Sequence, residues 1–131
     1  METYRGVRIT DTYFTGHKVQ IYSTLIRSIS AICREDRAVG LFYVGVASGP
    51  DYWTALTRRV DNKKLANGVT DMYLLYQSSS ETSTRDLESW LIEHYQDFHE
   101  DERIWNAVGG GGGRRGSGPY FYLYLAVTRA F

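Results

Sequence analysis

Apolar residues recur along this chain at two spacings, and the alternation of those spacings predicts its elements. Residues 17–24 (HKVQIYST) mix β-branched and aromatic side chains and read as a strand. Leu25, Ile26, Ile29, Ile32 and Cys33 then follow helical spacing, which the polar REDR at 34–37 ends. Residues 40–47 (GLFYVGVA) form a continuous apolar run, expected of a strand covered on both faces, with Ser48-Gly49-Pro50 as the turn after it. A helix is expected from about Asp51 to Leu65, stopped by Asn67-Gly68, and a strand over 71–77 (DMYLLYQ). The polar run SSSETST reads as a loop, and Ser83 with Asp86 three residues on predicts a capped helix start. That helix should run to about Phe98, and the last strand covers 120–128 (YFYLYLAVT). The first sixteen residues lack apolar periodicity and are expected to be an extended arm with a short strand at Val7–Thr10.

The order β, α, β, α, β, α, β predicts one α/β (α+β) domain over 1–131, a small mixed, mainly antiparallel central sheet flanked by helices. A length of 131 residues suits a single domain. Fifteen basic residues balance fifteen acidic ones, which argues against binding driven by a net basic charge. Cys33 is the only cysteine, so neither an intrachain disulfide nor a multi-cysteine zinc site can form. The start, METYRGVRIT, has no apolar run, and the expected setting is cytoplasmic, away from membranes.

Charges placed where packing wants apolar atoms give the first hint of chemistry. With an advance of about 100° per residue from Leu87, the side chains of Trp90, Leu91, Ile92, His94, Tyr95 and Phe98 share one broad arc. Asp86, Glu93 and Asp97 fall opposite, whereas Glu88 falls inside the arc between Tyr95 and Ile92. A carboxylate held there loses hydration and needs a cation or donors, unless its head reaches water from a helix edge. In the helix before it, Tyr52, Trp53, Ala55, Leu56 and Val60 mark the apolar face; Arg59 and Lys63 point the same way and Arg58 points away. Long basic side chains often snorkel from such a face. One helix placing acid inward and another placing base inward would instead suit a phosphate held with a divalent metal. The glycine run 109–113 followed by Arg114-Arg115 could cradle phosphate through its N–H groups or serve as a flexible loop; no Gly-Lys-Ser/Thr closes it, so it is not a Walker loop.

From Gly40 to Thr128 these residues resemble the GIY-YIG nuclease family. Phe42-Tyr43-Val44-Gly45 looks like its second half-motif, the Leu-Thr-Arg-Arg-Val segment places its arginine on Arg59, and Leu87-Glu88-Ser-Trp-Leu-Ile-Glu-His-Tyr places its metal-binding glutamate on Glu88. Trp105-Asn106 and the glycines after it resemble the family's asparagine and its Gly-rich segment. The first half-motif is degenerate: the usual interval holds no tyrosine, and Ile21-Tyr22 is the best substitute, a helix earlier. Lys63 stands where the family often has a histidine.

The resemblance implies metal-dependent endonuclease chemistry on DNA. Glu88 would bind Mg²⁺ or Mn²⁺, Arg59 would hold the scissile phosphate, and Tyr43 or Tyr22 would orient or deprotonate water if a nearby cation lowered a phenol pKa. Lys63 would add electrostatic support and Asn106 would fix hydrogen bonds. Residues 81–102 carry eight acids and one arginine, while 109–131 carry three arginines and no acid. Duplex DNA could therefore lie along Arg58, Arg59, Lys63, Lys64, Arg114 and Arg115, bound in a salt-sensitive way. Two other readings stay open. One is a non-catalytic relative whose pocket holds a nucleotide or nucleic-acid end, or whose surface blocks a partner protein. The other is an assembly protein, a homodimer paired through the face of the last strand carrying Phe121, Leu123, Leu125 and Val127.

Overall fold

The structure is a computed structural model, and it describes residues 2–10, 25, 27–29, 31, 39–61, 69–95 and 119–129. The described strands are β1 (Glu2–Tyr4), β2 (Val7–Thr10), β3 (Val39–Gly49), β4 (Val69–Ser78) and β5 (Tyr120–Arg129). Helix α1 is seen at residues 25, 27–29 and 31; α2 spans Tyr52–Asp61 and α3 spans Glu81–Glu93. The strands form one five-stranded sheet in the order β1-β2-β4-β5-β3. Only β2 and β4 pair in parallel; the other neighbours are antiparallel. The domain is thus mixed α+β with a mainly antiparallel sheet. No helix among the described residues is long and apolar enough to cross a membrane.

The period-2 alternation of the strands divides the core into two layers. Phe42, Val44 and Val46 of β3 and Phe121, Leu123, Leu125 and Val127 of β5 face α1 and α3, where Leu25, Ile29, Leu87, Leu91 and Ile92 cover them. Ala47, Tyr122, Tyr124 and Ala126 point the other way, onto Ala55 and Leu56 of α2. The last strand is therefore central, paired with β3 on one side and β4 on the other. This overturns the expectation that its apolar face joins subunits: Leu123, Leu125 and Val127 are fully buried inside their own domain.

The N-terminal segment is a hairpin, with only its second strand foreseen. Tyr4 and Val7 face one another across Arg5-Gly6, and both turn residues have positive φ (49° and 84°), the pattern of a two-residue type I′ turn. Arginine is an unusual occupant of that conformation, and contacts hold it there. Its Nε lies 3.1 Å from Asp61 Oδ1, and its guanidinium stands 5.7 Å from the Tyr4 ring centroid. The Tyr4 hydroxyl donates to the same carboxylate at 2.8 Å and 2.9 Å, tying the hairpin to the end of α2.

Two boundaries differ from expectation. Strand β3 continues through Gly49, so the turn falls at Pro50-Asp51. Asp51 then caps α2, accepting from the Thr54 N–H at 2.7 Å and from its hydroxyl at 3.0 Å, and these bonds hold the Asp51 carboxyl below its usual pKa. Helix α3 begins at Glu81 rather than after Ser83, because Ser80 is the residue whose side chain accepts the Ser83 N–H, at 3.1 Å. In a serine-rich stretch several hydroxyls could cap, and the one that matters has extended backbone (φ −104°, ψ 114°) one residue before the first turn. Ser80→Ala should cost about 1 kcal/mol of stability, read as a lower midpoint in urea at unchanged slope, whereas Ser83→Ala should be within about 0.5 kcal/mol of wild type. The strand expected at 17–24 and the far end of α3 lie outside the described residues.

Candidate functional site

Among the described residues two carboxylates are buried, one on the sheet and one on α3, and the difference between them locates the site. Asp71 of β4 is 1% exposed and satisfied: Arg8, its neighbour across the β2–β4 register, places Nε 2.7 Å from Oδ1, and the Thr70 hydroxyl donates to Oδ2 at 2.8 Å. Glu88 of α3 is 4% exposed, and its Oε1, wholly buried, accepts no hydrogen bond from the described residues. Among the described residues, the Nη1 of Arg85 lies 3.8 Å from that oxygen, close enough for charge attraction and too far for a hydrogen bond. Burial of a carboxylate without donors destabilises its charged form, and the Glu88 carboxyl is pushed up to about 7 even though Arg85 and Arg59 pull it down.

Glu88 is inward for the reason its spacing predicts. Leu87, Leu91, Ile92 and Tyr95 are all buried against the sheet, and Glu88 sits within that face, while Asp86 and Glu93 are exposed. Trp90 departs from the expected arc. It stands at the arc's edge, is 38% exposed, and stacks on His94 with ring centroids 5.3 Å apart.

Arg59 reaches the same neighbourhood from the other face of the sheet. The turn that buries Ala55 and Leu56 leaves Arg59 half-buried, and its Nη2 donates to the carbonyl of Val46 on β3; Arg58 is exposed on the opposite side, as its spacing predicts. Helices α2 and α3 thus cover opposite faces, and their inward charges act on each other across β3.

Two tyrosines lie between these charges. Tyr43 of β3 and Tyr124 of β5 tilt against each other with centroids 6.3 Å apart. Burial raises the Tyr43 phenol above its usual value, the charge of Glu88 raises it further, and Arg59 and Arg85 only partly oppose them. The two arginines alone do not bring the Tyr43 phenol below its usual value. Burial also holds the Tyr124 phenol above its usual value, against the pull of Arg59. Both remain hydrogen-bond donors at neutral pH. Space for Tyr124 comes from Gly45, its partner in the β3–β5 register: a Cβ there would lie 2.5 Å from both Cζ and Oη of Tyr124 and 2.8 Å from a ring carbon of Tyr43.

Of the residues singled out from sequence, Tyr43, Arg59 and Glu88 come together, and Arg58 stands apart on the surface. Tyr22, Lys63, Lys64, Asn106, Arg114 and Arg115 lie outside the described residues. No family model, curated protein or solved structure matches the chain.

Sequence reasoning missed two members of the cluster. Arg85 precedes Glu88 by one helical turn, so the i, i+3 rule could have found it. Tyr124 lies on the face of β5 opposite the aliphatic one and carries no motif; the glycine across from it is the only signal.

Among the described residues no three His, Cys, Asp or Glu side chains gather into a ligand cage. Glu88 alone would offer a hard divalent cation a carboxylate oxygen, and such ions commonly take one or two protein carboxylates, completing their shell with water and substrate phosphate. Its Oε1 has no hydrogen-bond partner among the described residues.

Proposed function

We propose that the chain is a divalent-metal-dependent endonuclease that hydrolyses DNA phosphodiesters, acting at Glu88 in the manner of the GIY-YIG nucleases it resembles. The observation that carries this reading is the buried Glu88 oxygen with no hydrogen-bond donor among the described residues, its charge acting on Tyr43 and lying within the field of Arg59 and Arg85. Structural carboxylates in this same domain are treated differently, as Asp71 shows, and a buried acid kept unsatisfied has a cost that function can justify.

Glu88 would hold Mg²⁺ or Mn²⁺, and such an ion supplies polarisation of the phosphate and neutralises charge on the leaving oxygen. Arg59 would hold the scissile phosphate with the donors of its planar fork, oriented by the one it gives to Val46. Tyr43, kept protonated, would orient the attacking water by donating to it rather than by taking its proton. By resemblance, Tyr22 would share that task, Lys63 would add positive charge, and Asn106 would fix hydrogen bonds. Arg58, Lys64, Arg114 and Arg115 would follow the duplex backbone.

The test is nicking of supercoiled plasmid in Mg²⁺ or Mn²⁺. The wild-type chain should convert it to open circles, and chelator or Glu88→Ala should abolish conversion. A folded wild type that leaves the plasmid intact overturns the nuclease reading. The second reading, a non-catalytic binder of nucleotide or nucleic-acid ends, draws on the raised Tyr43 phenol, which is not a base at neutral pH. It predicts binding of a phosphate-bearing end that Arg59→Ala weakens, with no turnover.

A further inference from the structure

Arg85 has no assigned part in the chemistry above, yet it stands between two carboxylates. Its Nε lies 3.2 Å from Glu81 Oε2, one turn back along α3, and its Nη1 lies 3.8 Å from the unsatisfied Oε1 of Glu88. The three side chains occupy positions i, i+4 and i+7 of one helix, all at least partly buried, with Arg85 20% exposed. A surface helix pair would be exposed and worth little. This arginine instead directs charge, and no hydrogen bond, at the buried carboxylate oxygen that has no donor among the described residues.

The Glu81 bond anchors the guanidinium one turn back from Glu88. A planar fork anchored through Nε is restrained in how far its Nη groups can travel, so Arg85 offers Glu88 Oε1 charge without a hydrogen bond. Such an arrangement is sensitive to what Glu88 binds. A divalent cation on Glu88 would reverse the sign of the local charge and repel Arg85. An anion arriving beside that cation would attract the arginine again, now to itself.

We propose that Arg85 is the second anion-holding residue of this site, a counter-ion for Glu88 in the resting protein that passes to a phosphate oxygen once a divalent cation occupies the glutamate. The inference rests on the metal-binding reading of Glu88 and adds to it a second arginine, approaching from the α3 face as Arg59 does from the α2 face. A phosphodiester would then be gripped from both sides of β3.

The experiment is direct binding by the full chain, with no turnover involved. Free Mn²⁺ is titrated by electron paramagnetic resonance, and inorganic phosphate is followed by Mn²⁺-induced broadening of its ³¹P resonance. Removing a positive charge 3.8 Å from the liganding oxygen in Arg85→Ala should tighten Mn²⁺ alone about tenfold, since a doubly charged ion roughly 6 Å away feels an effect of that size even with water-like screening. The same variant should weaken phosphate in the presence of Mn²⁺ by about tenfold, the worth of a charge-assisted contact. Arg85→Lys should keep the wild-type Mn²⁺ affinity and recover part of the phosphate affinity. Glu81→Gln, which leaves Arg85 and removes its anchor, should weaken Mn²⁺ about threefold as the guanidinium closes on Glu88.

If Arg85 were only a helix brace, Arg85→Ala would lower the melting temperature and leave both constants unchanged, and that result overturns the inference. Should Arg85→Ala not fold, an unchanged Mn²⁺ affinity in Glu81→Gln overturns it equally. A wild type that binds no Mn²⁺ overturns the metal-site reading and this inference together, whereas wild-type binding indifferent to both substitutions removes only the role of Arg85.

Discussion

Glu88→Gln should make the protein more stable at pH 8 and inactive on plasmid. The two effects share one cause. In the folded chain the Glu88 carboxyl is pushed up to about 7 from an ordinary 4.5, chiefly by burial. The folded state therefore holds this proton more tightly than the unfolded state does. Below about pH 4.5 both states are protonated and the residue carries no penalty; between there and pH 7 stability falls as pH rises, and above 7 the deficit is complete. Its full size is about 3 kcal/mol, from 1.36 kcal/mol for each unit separating the two values. Glutamine has the same shape and no charge to desolvate, so it should recover most of that deficit at pH 8 and little at pH 4.

In melting temperature this is an increase on the order of 10 °C for a domain of this size, shrinking toward zero in acid. Mg²⁺ at millimolar concentration should raise the wild-type melting temperature and leave the variant unmoved, because only the carboxylate gains from the ion. Plasmid nicking should fall about a thousandfold, the equivalent of the several kcal/mol that an ion supplies to phosphoryl transfer. Equal melting temperatures at pH 8 would show that Glu88 is not desolvated as the structure places it.

Gly45→Ala should destabilise the domain by about 2 kcal/mol, against the usual direction for this exchange in a strand. Alanine normally gains over glycine by lowering the entropy of the unfolded chain. Here the added methyl group would lie 2.5 Å from the end of the Tyr124 ring and 2.8 Å from Tyr43, and the Tyr124 ring is buried on every side. Neither ring can yield without disturbing the layer beneath α2, so overpacking outweighs the entropic gain. The decisive measurement is a double-mutant cycle in urea. In a Tyr124→Leu background the same exchange should be neutral or stabilising, giving a coupling energy of about 2 kcal/mol. Additive losses would mean that the glycine and the tyrosine do not share one space.

The inward glutamate and arginine were legible from spacing alone, because a helix of fixed period on a flat sheet allows few orientations. Glu88 lies within the same arc as Leu91 and Tyr95, and no tertiary detail was needed to place it. The strand faces were legible for the same reason: Phe121, Leu123, Leu125 and Val127 do share one side. What that side meets was not. The order of strands depends on contacts such as Arg8 with Asp71, far apart in the chain, and nothing local to either residue names its partner. The N-terminal hairpin was hidden because its turn uses Arg5, a residue that adopts positive φ only when held, and the holder is Asp61 at the end of a distant helix. The raised phenol of Tyr43 was invisible too, since its direction depends on whether burial or the arginines dominate.

The place of β5 has a consequence for how the domain is made. Strands β3 and β4 precede it in the chain, yet in the sheet they meet only through it. Until residues 120–129 have been synthesised, the β1-β2-β4 group and β3 are two fragments with no hydrogen bonds to share, each presenting the edge that the missing strand will occupy. The nascent chain must keep both edges open and apart while it waits, an interval in which binding a chaperone or pairing with another chain competes with completion. Assembly of the sheet should thus be a late, nearly all-or-none event, and the apolar inner face of β5 is what closes it.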